Sequence, residues 1–169
     1  MDESISLTTS ISPKKLKFEI QDLINVCPNK CNDKQLCLKC KTQSIALNRY
    51  SQANIPVKYW KLEMDDKFKG DDRLKQTYLD LVSQEETKDN LYKTYKAGTS
   101  ICFAGSHGIG KTMTCANILK RALEKGYTGY YCTLNELVSN LIYSDQKIQF
   151  RNLFLTIDFL VIDEFDPRY

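Results

Sequence analysis

Long apolar runs are missing from this chain of 169 residues: none approaches the ~20 needed to span a bilayer. The opening Met1-Asp2-Glu3-Ser4 lacks the basic and apolar regions of a secretory signal. Both absences lead us to expect an intracellular, cytoplasmic protein. Charge of one sign is scarce too. The net charge of +3, from 24 basic and 21 acidic residues, sets up no global field that would draw the chain to nucleic acid or membrane. No internal repeat is visible, and there are only seven glycines and one histidine. What remains is ordinary and sufficient. An apolar fraction of 42% supports a core, and the length suits one domain, or one domain with a small appendage.

The few glycines are concentrated. Three of the seven lie in Gly105-Ser106-His107-Gly108-Ile109-Gly110-Lys111-Thr112, a full match to G-x-x-x-x-G-K-[ST]. An apolar run at 101–104 precedes it and a helix-like stretch at 111–125 follows. A strand over 100–104 would deliver the loop and a helix would begin at its end. Backbone N–H groups from Gly105 to Met113 would then point at an anion. Lys111 is expected to reach the β- and γ-phosphates of ATP, and the Thr112 hydroxyl to ligate Mg²⁺. The plainer alternative is a fortuitous glycine-rich turn. His107 occupies a variable position of the pattern and is expected to face solvent.

A second segment supports the first. Phe159-Leu160-Val161-Ile162-Asp163-Glu164 reads as a buried strand ending in two carboxylates. Functional groups of parallel sheets gather at the carboxyl ends of strands, the edge at which a phosphate loop also sits. Asp163 would hold magnesium through water, and Glu164 would polarise an attacking water as general base. Otherwise the pair merely caps a strand. Asp158 is expected to end the preceding helix without acting as a ligand.

Seven cysteines divide into two groups. Cys102, Cys115 and Cys132 are scattered through expected core elements, where thiols act as small hydrophobes. The others form Cys27-x₃-Cys31-x₅-Cys37-x₂-Cys40, two close pairs with spacings used by tetrahedral zinc sites. Four thiolates leave no open coordination position, so such a site would be structural. In a segment with almost no core, Zn²⁺ would supply folding free energy on the order of 10–16 kcal/mol. Four free or redox-active cysteines are the competing reading.

Along the chain, residues 1–13 are expected to be a disordered tail, and 14–65 a helical and zinc-knuckle region. Residues 66–169 would form the nucleotide core. Apolar periodicity predicts helices over 14–26, 42–51, 71–82 and 89–97, the last ending at Gly98. Residues 55–57 break the second of these, and Trp60 and Leu62 should be anchored. After residue 100 the pattern alternates: strand 100–104, helix 111–125, strand 129–133, a capping box from Thr133 to Glu136, helix 149–156, strand 158–163. That order gives an α/β fold with a parallel sheet and right-handed crossovers. Basic residues cluster at Lys14, Lys15 and Lys17, and again at Lys30, Lys34, Lys39, Lys41 and Arg49.

Paired cysteines, Arg49, Ile55-Pro56-Val57-Lys58-Tyr59-Trp60, the phosphate loop, Ala116-Asn117-Ile118-Leu119-Lys120, Lys125-Gly126-Tyr127 and Asp158 to Glu164 occur in one order. Together they resemble the DnaC/DnaI-type replicative helicase loaders, with phage replication proteins and IstB-type transposition ATPases as relatives. The likeness runs from about Cys27 to the last residue. It implies an AAA+ P-loop ATPase that oligomerises on a ring helicase and loads it onto single-stranded DNA under ATP control. Gly105, Gly108, Gly110, Lys111 and Thr112 would bind nucleotide, Asp163 and Glu164 would serve metal and water, and the four cysteines zinc. In that family a further strand with a sensor residue, an arginine finger and a helical lid follow the acidic strand. Tyr169 ends the chain six residues past Asp163, so a core incomplete at its C-terminus is expected, with weak hydrolysis by this chain alone. Two other functions remain open: a non-enzymatic zinc-dependent adaptor with a degenerate nucleotide fold, and an IstB-like transposition helper. Residues 55–60 are the candidate for contact with adenine.

Overall fold

A computed structural model describes residues 11–32, 34–65, 67–82 and 90–165. Helix α1 spans Pro13–Asn25, with proline in its first turn and Ser12 as N-cap, the hydroxyl accepting from Lys15 N at 3.3 Å. Its expected apolar stripe packs inward: Ile24 is buried, while Leu16, Ile20 and Leu23 lean on the main core. Ile11 belongs to that core and Ser12 is the cap, so the tail expected over 1–13 stops short of these residues. Residues 1–10 lie outside the described set.

Helix α2 runs Leu38–Gln52, four residues longer at its start than periodicity predicts, because Cys37 supplies the N-cap. A 3₁₀ turn at Val57–Tyr59 follows Pro56. Trp60 is buried and donates Nε1–H to Ile55 O at 2.7 Å, whereas Leu62, expected to be anchored, is 44% exposed. Helices α3 (Asp72–Val82) and α4 (Asn90–Lys96) lie where expected. Gly98 ends α4 in the left-handed region at φ 60°, with Gly98 N donating to Tyr95 O and Thr99 N to Thr94 O.

Helix α5 (Lys111–Glu124), strand β1 (Gly129–Thr133), helices α6 (Leu134–Ile142) and α7 (Lys147–Thr156), and strand β2 (Phe159–Asp163) complete the chain. The capping box is formed: Thr133 Oγ1 accepts from Glu136 N, and Glu136 Oε2 accepts from Thr133 N at 2.8 Å. β1 and β2 pair in parallel, Thr133 beside Asp163, in a two-stranded sheet. The fold is therefore mixed α/β with a small parallel sheet.

Two strand expectations need correction. Residues 100–104 join no ladder among the described residues, and Ile101 and Cys102 are exposed. The sheet here is β1 and β2 alone, so this segment has no neighbour to exchange backbone hydrogen bonds with. β2 is half-buried, not buried: Phe159 and Val161 turn to the main core, while Leu160 and Ile162 are 38% and 39% exposed. Alternation puts those two on the face where α7 covers Tyr130 and Cys132 of β1 but not β2.

The main core draws on both sides of the expected boundary at residue 65. Leu47, Tyr50, Ala53, Ile55 and Trp60 pack with Ala116, Leu119 and Leu123 of α5 and with Tyr131. Backbone joins them too, since Tyr131 N donates to Ala53 O at 2.8 Å. Lys120 fixes the other flank. Its side chain is 1% exposed, and Nζ donates to Leu62 O at 2.7 Å, Glu63 Oε1 at 2.9 Å, and Tyr59 O and Asn117 Oδ1 at 3.3 Å. A buried ammonium is tolerable only with such partners. Lys120→Met keeps the aliphatic stem and strands the carbonyls, so it is expected to lower unfolding free energy by about 2 kcal/mol. Urea denaturation measures this; an unchanged midpoint would mean the clamp adds nothing to stability.

Candidate nucleotide-binding site and metal centre

Between Phe103 and α5 the chain turns sharply at Gly105, Gly108 and Gly110, whose φ angles are 148°, 81° and 100°. Glycine is favoured at Gly110 by that φ, and a Cβ there would also lie 2.6 Å from the tip of the Phe68 ring, which would have to shift. The loop is buttressed from the segment before α3, where Asp71 N donates to Ile109 O at 2.9 Å. Ser106, His107 and Gly108 are exposed, His107 facing solvent as expected, and Ile109, Lys111, Thr112 and Met113 are half-buried. α5 begins at Lys111 with Gly110 as N-cap, which aims its first amides at the loop. Lys111 Nζ donates to Gly105 O at 2.8 Å and Ser106 O at 2.7 Å. An ammonium has three donors, and the loop carbonyls take two.

The acidic strand end meets this loop. Thr112 Oγ1 donates to Asp163 Oδ1 at 3.2 Å, and the Tyr131 hydroxyl donates to Asp163 Oδ2 at 2.6 Å. A threonine that gives its proton to a carboxylate keeps its lone pairs as acceptor sites for a cation. Glu164 follows at φ 55°, a left-handed conformation uncommon for a residue with a Cβ. Thr112, Tyr131, Asp163 and Glu164 line a cleft of about 220 Å³ with Lys58 and Glu136. Its oxygen donors are the hard type that Mg²⁺ takes, so the residues fit that ion. Asp158 lies at the other end of β2, accepting from Thr128 N and Oγ1 at 2.8 Å, and is no part of this group.

A second cleft, of about 510 Å³, adjoins the loop. It is lined by Lys61, Phe68, Gly108, Gly110 and Met113 among others. Sequence reading missed both this cleft and Tyr131. The segment Met64-Asp65-Asp66-Lys67-Phe68 matches no motif, so nothing local flagged it. Tyr131 had a usable signal: strand alternation puts it on the face of Thr133, whose ladder partner is Asp163. The expected adenine segment is revised in part. Ile55 and Trp60 are core residues at 0% and 3% exposure, and Pro56, Lys58 and Tyr59 line the smaller cleft instead.

The four clustered cysteines converge at the junction of α1 and α2. Their sulfur atoms all lie within 4.8 Å of one another, with Cys27 Sγ 3.5 Å from Cys31 Sγ and 3.8 Å from Cys37 Sγ. Tetrahedral zinc at its usual sulfur distance would require edges of about 3.8 Å, so the set fits. Amides supply the outer contacts: Cys37 N donates to Cys31 Sγ at 3.1 Å and Cys40 N to Cys37 Sγ at 3.5 Å. The Cys40 amide brings the Cys37 thiol down to about 6. Cys40, hydrogen bonded to Cys27 and buried, is pushed up to about 12. A divalent cation such as zinc would bind these sulfurs as thiolates and displace their protons. The remaining cysteines are unlike these. Burial pushes Cys115 and Cys132 up to about 12, making them inert, while Cys102 is exposed because its segment joins no sheet.

No helix among the described residues is long and apolar enough to cross a membrane. Comparison with protein-family models, curated proteins and solved structures finds no match. The purified protein is expected to carry one zinc ion per chain by elemental analysis. Cys37→Ser should lose the metal and lower the thermal midpoint by several degrees; metal-free wild-type protein of unchanged stability would reject the site.

Proposed function

We propose that the chain is an AAA+-like helicase loader that binds ATP·Mg²⁺ at the glycine loop. The observation that carries this reading is the Thr112–Asp163 hydrogen bond, which joins loop and acidic strand tip at one place. Amides from Gly105 to Met113 would hold the phosphates, with Lys111 supplying positive charge and Thr112 and Asp163 holding magnesium. When bound, the metal would neutralise developing charge on the phosphates. Glu164, at the cleft wall, is the group to orient and deprotonate water. The base would lie in the larger cleft against Phe68 and Met113, which has room for it and adjoins the loop.

The cysteine cluster is read as a zinc-stabilised arm. Val26, just before the cluster, and Leu38, within it, are 72% and 82% exposed, and Lys30, Lys39 and Lys41 are exposed in the same segment, which suits contact with a protein partner. In the proposed role that partner is a ring helicase in the cytoplasm, with single-stranded DNA as the cargo track and self-association in the complete assembly. One feature favours a non-enzymatic, zinc-dependent adaptor instead: residues 100–104, which deliver the loop, lie outside the sheet.

Lys111→Ala separates the two. It is expected to weaken ATP binding on the order of 100-fold, the loss of a charge-assisted phosphate contact, and to abolish ATP-dependent recruitment of the helicase. Calorimetry and a pull-down from purified components measure both. Recruitment that is indifferent to ATP and to this substitution, yet lost in Cys37→Ser, would favour the adaptor.

A further inference from the structure

Asp163 is held by donors from two different elements. Thr112, in the first turn of α5, serves Oδ1, while Tyr131, on the neighbouring strand, serves Oδ2 through the shorter bond of 2.6 Å. A carboxylate plane turns easily about its terminal torsion, which is broad and roughly two-fold. One donor leaves it free to pivot; a second donor on the other oxygen stops the rotation. Tyr131 is suited to that task because it is buried and its backbone is hydrogen bonded. It is 4% exposed, packed among Ile55, Trp60, Ala116 and Leu119. Its backbone is pinned on both sides, N donating to Ala53 O at 2.8 Å and O accepting from Asn54 Nδ2 at 3.0 Å.

We propose that Tyr131 is a positioning residue: it fixes the rotation of the Asp163 carboxylate and thereby sets how much magnesium strengthens nucleotide binding. The inference rests on the nucleotide reading of the loop. It differs from a packing role in a measurable way, since Tyr131→Phe keeps the ring and removes only the donor. Outer contacts of this kind are worth roughly 10–100-fold in metal affinity.

ATP affinity is measured by calorimetry with magnesium and again in EDTA, for wild type and Tyr131→Phe. The expected result is a roughly tenfold drop with magnesium and a change of less than about twofold in EDTA. In an Asp163→Asn background, where the carboxylate is already gone, Tyr131→Phe should lower magnesium-supported affinity no further. An unchanged ratio of the two affinities, equal losses with and without magnesium, or additive effects in the double variant would each overturn the assignment. Wild-type protein that takes up no ATP under either condition would overturn the loop reading itself, and this inference with it.

Discussion

The hydroxyl of Thr112 can reach Asp163 only because α5 is held fast along its whole length, and the rest of the site inherits its geometry from that helix. At its N-terminus α5 rises out of the glycine loop and touches β2 through Asp163. At its C-terminus Arg49 of α2 donates Nη1–H to Leu123 O at 2.9 Å, placing a cation on the negative end of the helix dipole. Beside it the Tyr50 hydroxyl donates to Glu124 Oε1 at 2.6 Å. Between the two ends, Lys120 ties the helix to residues 59–63. A rotation of α5 about its axis would break contacts on every flank at once. The loop is a fixed cradle because its helix is.

That arrangement changes how the N-terminal region should be regarded. A cysteine cluster on a poorly packed segment is easily pictured as a separate bead. Here α2 begins at the cluster and ends in the main core, with Cys37 as its N-cap and Leu47 and Tyr50 packed against α5. The cysteine cluster and the glycine loop are therefore joined through one hydrophobic core, α2 leading from the first and α5 from the second. Coordination chemistry keeps them distinct, four soft sulfur donors at one and hard oxygen donors at the other.

Much of this was legible because the signals were local. The Thr133–Glu136 capping box, the left-handed glycines at Gly98 and Gly126, and the bounds of β1 follow from short-range rules that tertiary packing did not override. The cysteine spacing carried its own geometry for the same reason. What stayed hidden depends on neighbours distant in sequence. Residues 100–104 have a strand's composition, yet a strand exists only where another accepts its hydrogen bonds. β2 has the uniform apolar run of a buried strand, but Leu160 and Ile162 face a side that α7 leaves uncovered. Phe68 earns its role from touching Gly110, 42 positions on, and no pattern around it could have said so.

The acidic cleft brings these strands of reasoning together. Asp163, Glu164 and Glu136 share a wall with one lysine, Lys58, and their negative charge is not evenly available. Glu136 is spent on the Thr133 cap, and Asp163 is bound at both oxygens. Glu164 alone follows the strand in a left-handed conformation, which costs on the order of 1–3 kcal/mol and persists only where the surroundings impose it. Glu164 thus stands next to a carboxylate that hydrogen bonds hold at both oxygens. In the proposed function the fixed group would steady a cation and the neighbouring one would handle a proton.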